Sequence, residues 1–300
     1  MNDEIYKGEA AFTTYGTGAL SALPVEVKKS IDMNVKFYLD KLETARPLYN
    51  SIKVDSADTS HIYHKYTQTY AEATGWTERS APESLAEGAR PSPEAGGMQD
   101  ATVTFTKYGS AFRITQELLQ SSKPLVNNYV MRQSQQMAMR IANFVNTTLW
   151  TNMYANAGAA YSASATWAQA GDPVADVFDA KNTFKKSSGG IDADFIALHP
   201  DNYADLAKDE RFLNSLFVTE KSVESGTISD KLGMKWVTDT AITKGNFVMG
   251  KSKQFGDYLE VLPYQEKVTD EGIAASVYEA TLKFGDRYPL SYLLLAGNGI

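Results

Sequence analysis

The sequences HIYHKYTQTY at residues 61–70 and TVTFTKYGSAF at residues 102–112 decide the fold, because both alternate along their length. Alternation with a period of two is typical of β-strands. Between them, residues 75–100 read GWTERSAPESLAEGARPSPEAGGMQD, which is rich in Gly, Pro, Ala and Glu. The pattern predicts a long two-armed hairpin. A compact enzyme rarely needs such a long connection without structure of its own, so the pattern indicates a chain built for assembly.

A long helical pattern follows the second arm, from Leu125 to about Asn156. Pro124 suits the first turn and Gly158 ends the run. A helix of this length spans roughly 50 Å and must lie along something flat, such as a sheet. One apolar stripe predicts its buried face: Val126, Val130, Met137, Ile141, Phe144, Val145, Leu149 and Met153.

The rest of the chain predicts an extended arm, a first helix and a mixed lobe of helices and strands. Residues 1–23 form the arm and residues 24–42 the helix, which Arg46-Pro47 stops. Asp172-Pro173 is a cap and first turn for a second helix, and the apolar run 194–199 resembles a buried strand. The further predicted elements are a helix at 202–209 and strands at 48–54, 235–238, 247–250, 258–263, 275–284 and 290–296.

The composition excludes several classes of protein. The 300 residues carry a net charge of −7, which argues against a protein that wraps nucleic acid with a basic face. There is no cysteine, so disulfide frameworks and thiolate metal sites are excluded. No secretory signal is visible, and no apolar run approaches the ~20 residues of a membrane span. We therefore expect a chain that is soluble inside the cell in which it is made.

Few side chains suggest catalysis. His61 and His64 lie three apart on a predicted strand, so they point to opposite faces and make a poor metal pair. The carboxylates and imidazole between Asp194 and Asp201 follow a predicted strand, where ligands often bind, which leaves open an α/β enzyme. Asp also starts strands and caps helices, and no nucleotide-binding or hydrolase motif occurs. The sequence therefore predicts no catalytic residue, metal or cofactor.

Three strings, in this order, resemble the major capsid protein of tailed viruses, which has the Hong Kong 97-type coat fold. Residues 86–122 read AEGARPSPEAGGMQDATVTFTKYGSAFRITQELLQSS, a loop that leads into a strand and a turn. Residues 194–213 read DFIALHPDNYADLAKDERFL, a strand followed by a helix. Residues 278–295 read YEATLKFGDRYPLSYLLL, an alternating strand, a turn and a last strand. The resemblance extends in order over nearly the whole chain.

The resemblance implies an α+β fold with four parts. An N-terminal arm with a helix would occupy residues 1–50, and an extended β-hairpin called the E-loop residues 51–112. A peripheral (P) domain with a long spine helix and a sheet would take residues 113–171 and 263–300. An axial (A) domain of α/β type would be inserted at residues 172–262.

The resemblance also implies a function: self-assembly through pentamers and hexamers into an icosahedral shell that encloses double-stranded DNA. The subunit would not be an enzyme, would bind no cofactor or membrane and would not read DNA sequence. Portal and scaffolding proteins would be possible partners, and the protein would be found in the virion and, during assembly, in the host cytoplasm. An encapsulin-like nanocompartment is the alternative shell.

Assembly contacts are expected along the hairpin and its tip. Tyrosine suits protein contacts because its ring is rigid and amphipathic, and an extended arm has little core in which to bury it. The polar tip suits a segment that orders on a neighbour. The expected contact residues are Tyr63, Tyr66, Tyr70, Tyr108, Glu78, Arg79, Glu83 and Arg90.

Overall fold

The computed structural model describes residues 33, 35–39, 41–55, 57–66, 70–71, 75–76, 98–115, 123–169, 171–208, 233–270 and 275–300. The strands are β1 (Asn50–Lys53), β2 (Ser60–Tyr66), β3 (Tyr70–Ala71), β4 (Gly75–Trp76), β5 (Met98–Thr104), β6 (Thr106–Thr115), β7 (Ala159–Ser162), β8 (Phe195–Leu198), β9 (Lys235–Thr238), β10 (Asn246–Gly250), β11 (Asp257–Asp270), β12 (Ala275–Arg287) and β13 (Leu294–Asn298). The helices are α1 (Lys123–Ala155), α2 (Pro173–Ser187) and α3 (Pro200–Ala207). Single 3-10 turns occupy Arg46–Leu48 and Ser291–Leu293.

Helix α1 lies on one face of a four-stranded sheet, as its length and apolar stripe predict. The strand order is β1-β11-β12-β6, with β1 parallel to β11 and the other pairs antiparallel. On β12, Tyr278, Ala280, Leu282 and Phe284 are buried while the alternate residues are half-exposed, which confirms the predicted alternation. The even-numbered face of β12 and α1 belong to one apolar core.

The predicted buried stripe of α1 is confirmed at six of the seven positions whose burial the structure describes. These six residues are at most 5 % exposed: Val130, Met137, Ile141, Val145, Leu149 and Met153. Phe144 is 40 % exposed, so its assignment to the buried stripe was wrong. Its ring lies at the edge of the helix–sheet contact, 4.3 Å from the ring of Tyr108. The side chain of Val126 lies outside the described residues.

A second sheet forms the α/β lobe, with the strand order β7-β13-β10-β8-β9. All four residues of β8 are buried, as the apolar run predicts. Asp172 caps α2 by accepting a hydrogen bond from the Ala175 backbone at 3.0 Å. Strand β13 lies inside this sheet, between β7 and β10. This pairing differs from the expected division, in which residues 263–300 return to the domain of the long helix.

The predicted second arm, residues 102–112, divides between two partners. Strand β5 pairs with β2 only as far as Thr104, and β6 then pairs with β12 along its whole length. The assignment of residues 51–112 to one hairpin was therefore wrong at both ends, since β1 and β6 are strands of the four-stranded sheet. The predicted arm at residues 1–23 lies outside the described residues, whereas residues 35–39 and 41–42 are helical as expected.

Candidate assembly surface

Strands β2 and β5 form an antiparallel hairpin with two different faces. His61, Tyr63 and Lys65 are half-buried, whereas Ser60, Ile62 and His64 are exposed. On β5, Ala101 and Val103 are half-buried, whereas Asp100 and Thr102 are exposed. Cross-strand partners share a face of the ribbon, so the hairpin has one inner face and one outer face.

Two apolar side chains flank a hydrogen-bonded pair on the outer face. The Nδ1 atom of His64 lies 2.7 Å from Oδ1 of its cross-strand partner Asp100. Ile62 is 66 % exposed and Met98 is 53 % exposed. We define Ile62, His64, Met98 and Asp100 as the outer hairpin face. Apolar side chains around a polar pair suit contact with another protein surface, in which the apolar area leaves water and the polar groups fix the register.

The β2–β5 hairpin is fixed to the body of the subunit along its described length. At its far end, the backbone N–H of Tyr66 donates to the carbonyl of Pro289 at 3.0 Å. At its base, the N–H of Phe105 donates to the carbonyl of Thr59 on the other arm at 2.9 Å. A Cβ atom at Gly285 would lie 2.6 Å from Cγ1 of Val103, so only glycine allows this close approach. One face of the hairpin therefore packs on the body.

Arg287 also connects the hairpin to the sheet. Its Nε donates to Oδ2 of Asp257 at 2.6 Å, and its NH1 lies 3.0 Å from Nε2 of His61. A guanidinium can only donate, so Nε2 of His61 is the acceptor and the ring proton is on Nδ1. Asp257, on β11, thereby positions the arginine that holds the hairpin base.

A buried group of hydroxyls and a carboxylate lies beneath this junction. The Tyr288 hydroxyl donates to Oδ2 of Asp286 at 2.6 Å, and Nδ2 of Asn152 donates to Oδ1 of the same carboxylate at 3.0 Å. The Tyr49 hydroxyl lies 2.6 Å from that of Tyr288. Burial raises the pKa of Asp286 above its ordinary value, although both hydrogen bonds oppose the shift. Burial also raises the pKa of Tyr49 and of Tyr288 well above the ordinary range.

The hairpin base and α1 lie on opposite faces of the four-stranded sheet. A small apolar cluster joins Phe105 and Val103 to Leu259 and Val261 of β11. Tyr258, which directly precedes Leu259 on β11, belongs instead to the core shared with α1. Successive residues of a strand point to opposite faces, so the sheet separates the hairpin base from the helix.

The expected contact residues fall into three groups. Tyr63 and Tyr66 lie on β2 and are half-buried, while the side chain of Tyr70 lies outside the described residues. Tyr108 is on β6, not on the hairpin, so its placement on an extended arm was wrong. Its ring contacts Phe144 and, at 5.6 Å, Phe284 of the same subunit. Glu78, Arg79, Glu83 and Arg90 lie outside the described residues, and their role stays a prediction.

Ile62 and Met98 were not among the contact residues expected from the sequence. Ile62 stands in the alternating string 61–70, so its face could have been read once the hairpin register was known. Among the described residues, the large apolar side chains that remain exposed are Met33, Phe37, Ile62, Met98, Met131, Met139, Phe144 and Phe178. Single exposed apolar residues are ordinary, and Ile62 and Met98 stand out because they share the outer face of one hairpin.

The residues of the alternative enzyme site have separate structural partners. Asp194 accepts hydrogen bonds from the backbone and the hydroxyl of Ser252, at 2.6 and 2.8 Å. His199 caps α3 by accepting from the Asp201 backbone at 3.1 Å. A hydrogen bond from Lys244 lowers the pKa of Asp201. In the described part of the chain, no three acidic or imidazole side chains are grouped so that they could hold a metal ion.

No described helix is long and apolar enough to cross a membrane.

Comparison with known proteins agrees with the architecture. Residues 99–286, more than half of the chain, match the sequence model of a family described as phage capsid protein. No curated protein matches the chain.

Several solved capsid and particle structures share the fold. The capsid of Cyanophage P-SCSP1u has a TM-score of 0.64 at 12% identity, over 95% of this chain and 92% of the other. The capsid of a native GTA particle gives 0.63 at 10% identity, over 97% and 96%. A virus-like particle from Pyrococcus furiosus gives 0.59 at 8% identity, over 90% and 98%. At these identities the comparisons establish a Hong Kong 97-type fold.

Proposed function

Because the chain belongs to the phage capsid protein family, we propose that it is the major coat subunit of a tailed virus and that many copies close into an icosahedral shell around double-stranded DNA. The family match carries this proposal, since residues 99–286 include β5, β6, α1 and most of both sheets. The subunit has a structural role in the virion.

Shell closure needs contacts that repeat around five-fold and six-fold rings. Such contacts are heterologous, which means that two different surfaces of the subunit meet. The outer hairpin face is one of these surfaces, because Ile62 and Met98 are exposed on a hairpin that is itself fixed to the body. Each contact is weak by itself, and many of them together hold the shell.

The parts of the subunit are assigned as follows. The β2–β5 hairpin is the E-loop, which lies over an adjacent subunit. The four-stranded sheet with α1 is the P domain, and the five-stranded sheet with α2 and α3 is the A domain. Strand β13 belongs to the A domain by its pairing, although it follows the P-domain strand β12 in sequence.

Electron microscopy of the purified full-length chain tests the proposal. We expect closed particles with five-fold and six-fold vertices that contain nuclease-protected DNA when they are isolated from infected cells. Portal and scaffolding proteins, if the shell uses them, would copurify with the particles or with their precursors. A chain that remains monomeric or dimeric at all concentrations would contradict the proposal, and particles filled with one cargo protein would favour the nanocompartment.

A further inference from the structure

The exposed side of α1 has an unusual charge pattern for this acidic chain. Residues 123–155 contain no Asp or Glu, although these two types make up 36 of the 300 residues. The exposed polar side chains described along it are Asn128, Arg132, Gln135, Gln136, Arg140, Asn143, Thr147 and Thr151. We call this set the polar face of α1. It carries positive charge only.

Two other arginines in the described part of the chain form ion pairs with carboxylates. Arg46 lies 3.3 Å from Glu43 and Arg287 lies 2.6 Å from Asp257. Among the described residues, no carboxylate forms an ion pair with Arg132 or Arg140. The two positions are eight residues apart, or about 12 Å along the helix axis, so each guanidinium can take a separate anionic group.

The opposite side of the sheet has a different composition. The odd-numbered residues of β12 and β6 point toward the hairpin base, and they include both signs, for example Glu279, Lys283 and Lys107. A shell one subunit thick presents one side to the lumen and the other to the outside. Residues 123–155 bring no carboxylate to their side of the sheet, so the polar face of α1 repels an enclosed polyanion less than the mixed-charge strand faces do.

From this arrangement we infer that the polar face of α1 lines the inside of the shell, where Arg132 and Arg140 contact the phosphates of the enclosed DNA. The inference rests on the proposed function. Arginine, glutamine, asparagine and threonine side chains donate to phosphate oxygens without reading the bases. Two cations per copy give a weak, salt-sensitive contact that repeats over the shell. An acidic protein segment is a less suitable occupant, because a protein contact usually buries apolar side chains at its centre. The large apolar side chains exposed on the described part of α1 are few: Met131, Met139 and the edge residue Phe144.

Site-specific crosslinking in particles tests which side faces the DNA. A photoreactive benzoylphenylalanine replaces Met139, which is 49 % exposed on α1, and in a matched variant replaces Ile62, which is 66 % exposed on the hairpin. Particles are isolated from infected cells, treated with nuclease and irradiated. We expect DNA adducts at position 139 and none at position 62.

The outcomes separate the inference from the proposed function. Particles without nuclease-protected DNA overturn both. Protected DNA with adducts at position 62 only, or at neither position, overturns the inference alone. An adduct between position 139 and another protein also overturns it, and identifies an acidic protein partner instead.

A second measurement uses the free full-length subunit and a labelled 30-base-pair DNA duplex. Fluorescence anisotropy across a salt series compares the parent with R132Q/R140Q and with the control K107Q/K283Q, whose lysines are cross-strand partners on the opposite face of the sheet. We expect R132Q/R140Q to bind about tenfold more weakly and to lower the logarithmic salt slope by about two. Equal losses in both variants would show that only net charge matters and would overturn the assignment to α1.

Discussion

The hydroxyl oxygens of Tyr49 and Tyr288 lie 2.6 Å apart in the buried junction beneath the hairpin. Tyr288 donates its own proton to Asp286, so Tyr49 is the donor between the two rings. This order of donors makes the two tyrosines unequal, since only Tyr288 contacts the carboxylate.

We expect Tyr288→Phe to destabilise the subunit more than Tyr49→Phe. The first substitution removes a hydrogen bond to a buried carboxylate, at a cost of about 1–3 kcal/mol, and the second removes a neutral one, at about 1 kcal/mol. Urea unfolding of the free subunit measures both. A larger loss for Tyr49→Phe would contradict the direction of donation.

Asp286 gives the stability of the subunit a specific pH dependence. Burial raises its folded pKa above the unfolded value near 3.8, so in the window above 3.8 the folded state binds more protons than the unfolded state. Its contribution is therefore most favourable below 3.8 and declines as pH rises through the folded pKa. The free energy of unfolding of the parent, relative to Asp286→Asn, should fall between pH 3.8 and neutrality. A relative increase with pH would mean that the hydrogen bonds outweigh burial.

Two methionines near the middle of α1 distinguish its buried side from its exposed side. Met137 is 2 % exposed and Met139 is 49 % exposed. Met137→Asp should cost several kcal/mol, because it leaves an unpaired charge against the sheet, whereas Met139→Asp should leave the subunit folded. Circular dichroism and thermal melting of the two proteins give the comparison. If Met137→Asp melts like the parent, α1 is not a buried spine.

The outer hairpin face should stabilise particles rather than subunits. We expect I62S/M98S to lower the melting temperature of particles while that of the free subunit changes little, because both side chains are exposed in one subunit. Val103→Ser is the matched control on the same hairpin. Val103 packs against the Phe105–Leu259 cluster, so this variant should destabilise the free subunit. Equal melting of parent and I62S/M98S particles would exclude this face from assembly.

Removal of residues 78–97 tests the expected role of the hairpin tip. The segment is polar and rich in Gly and Pro, so its loss should spare subunit folding and weaken particles. Size exclusion and electron microscopy of the same preparation separate the two effects. Loss of soluble folded subunit, with no folded material left to assemble, would show that the segment belongs to a core.

Elements that depend on local periodicity were predictable. The 3.6-residue period placed α1 within two residues of its observed start, and Asp172-Pro173 marked the start of α2. The period-two alternation of β12 assigned Tyr278 and Phe284 to the buried face. The outer hairpin face was less predictable. Ile62 and Met98 can be placed on one side only when the register that pairs Tyr66 with Met98 is known.

The sequence by itself determined the elements and their apolar faces, and tertiary structure decided which elements pair. A strand alternates in the same way whether its partner is near or distant in sequence, so alternation could not show that β6 leaves the hairpin at Phe105 to join β12. The parallel pairing of β1 with β11, and the place of β13 between β7 and β10, are likewise long-range choices. Phe144 illustrates the same limit on a helix. Phe144 falls on the apolar side of the helical repeat. Whether it is buried depends on how far the sheet beneath α1 extends, and that sheet is built from strands distant in sequence.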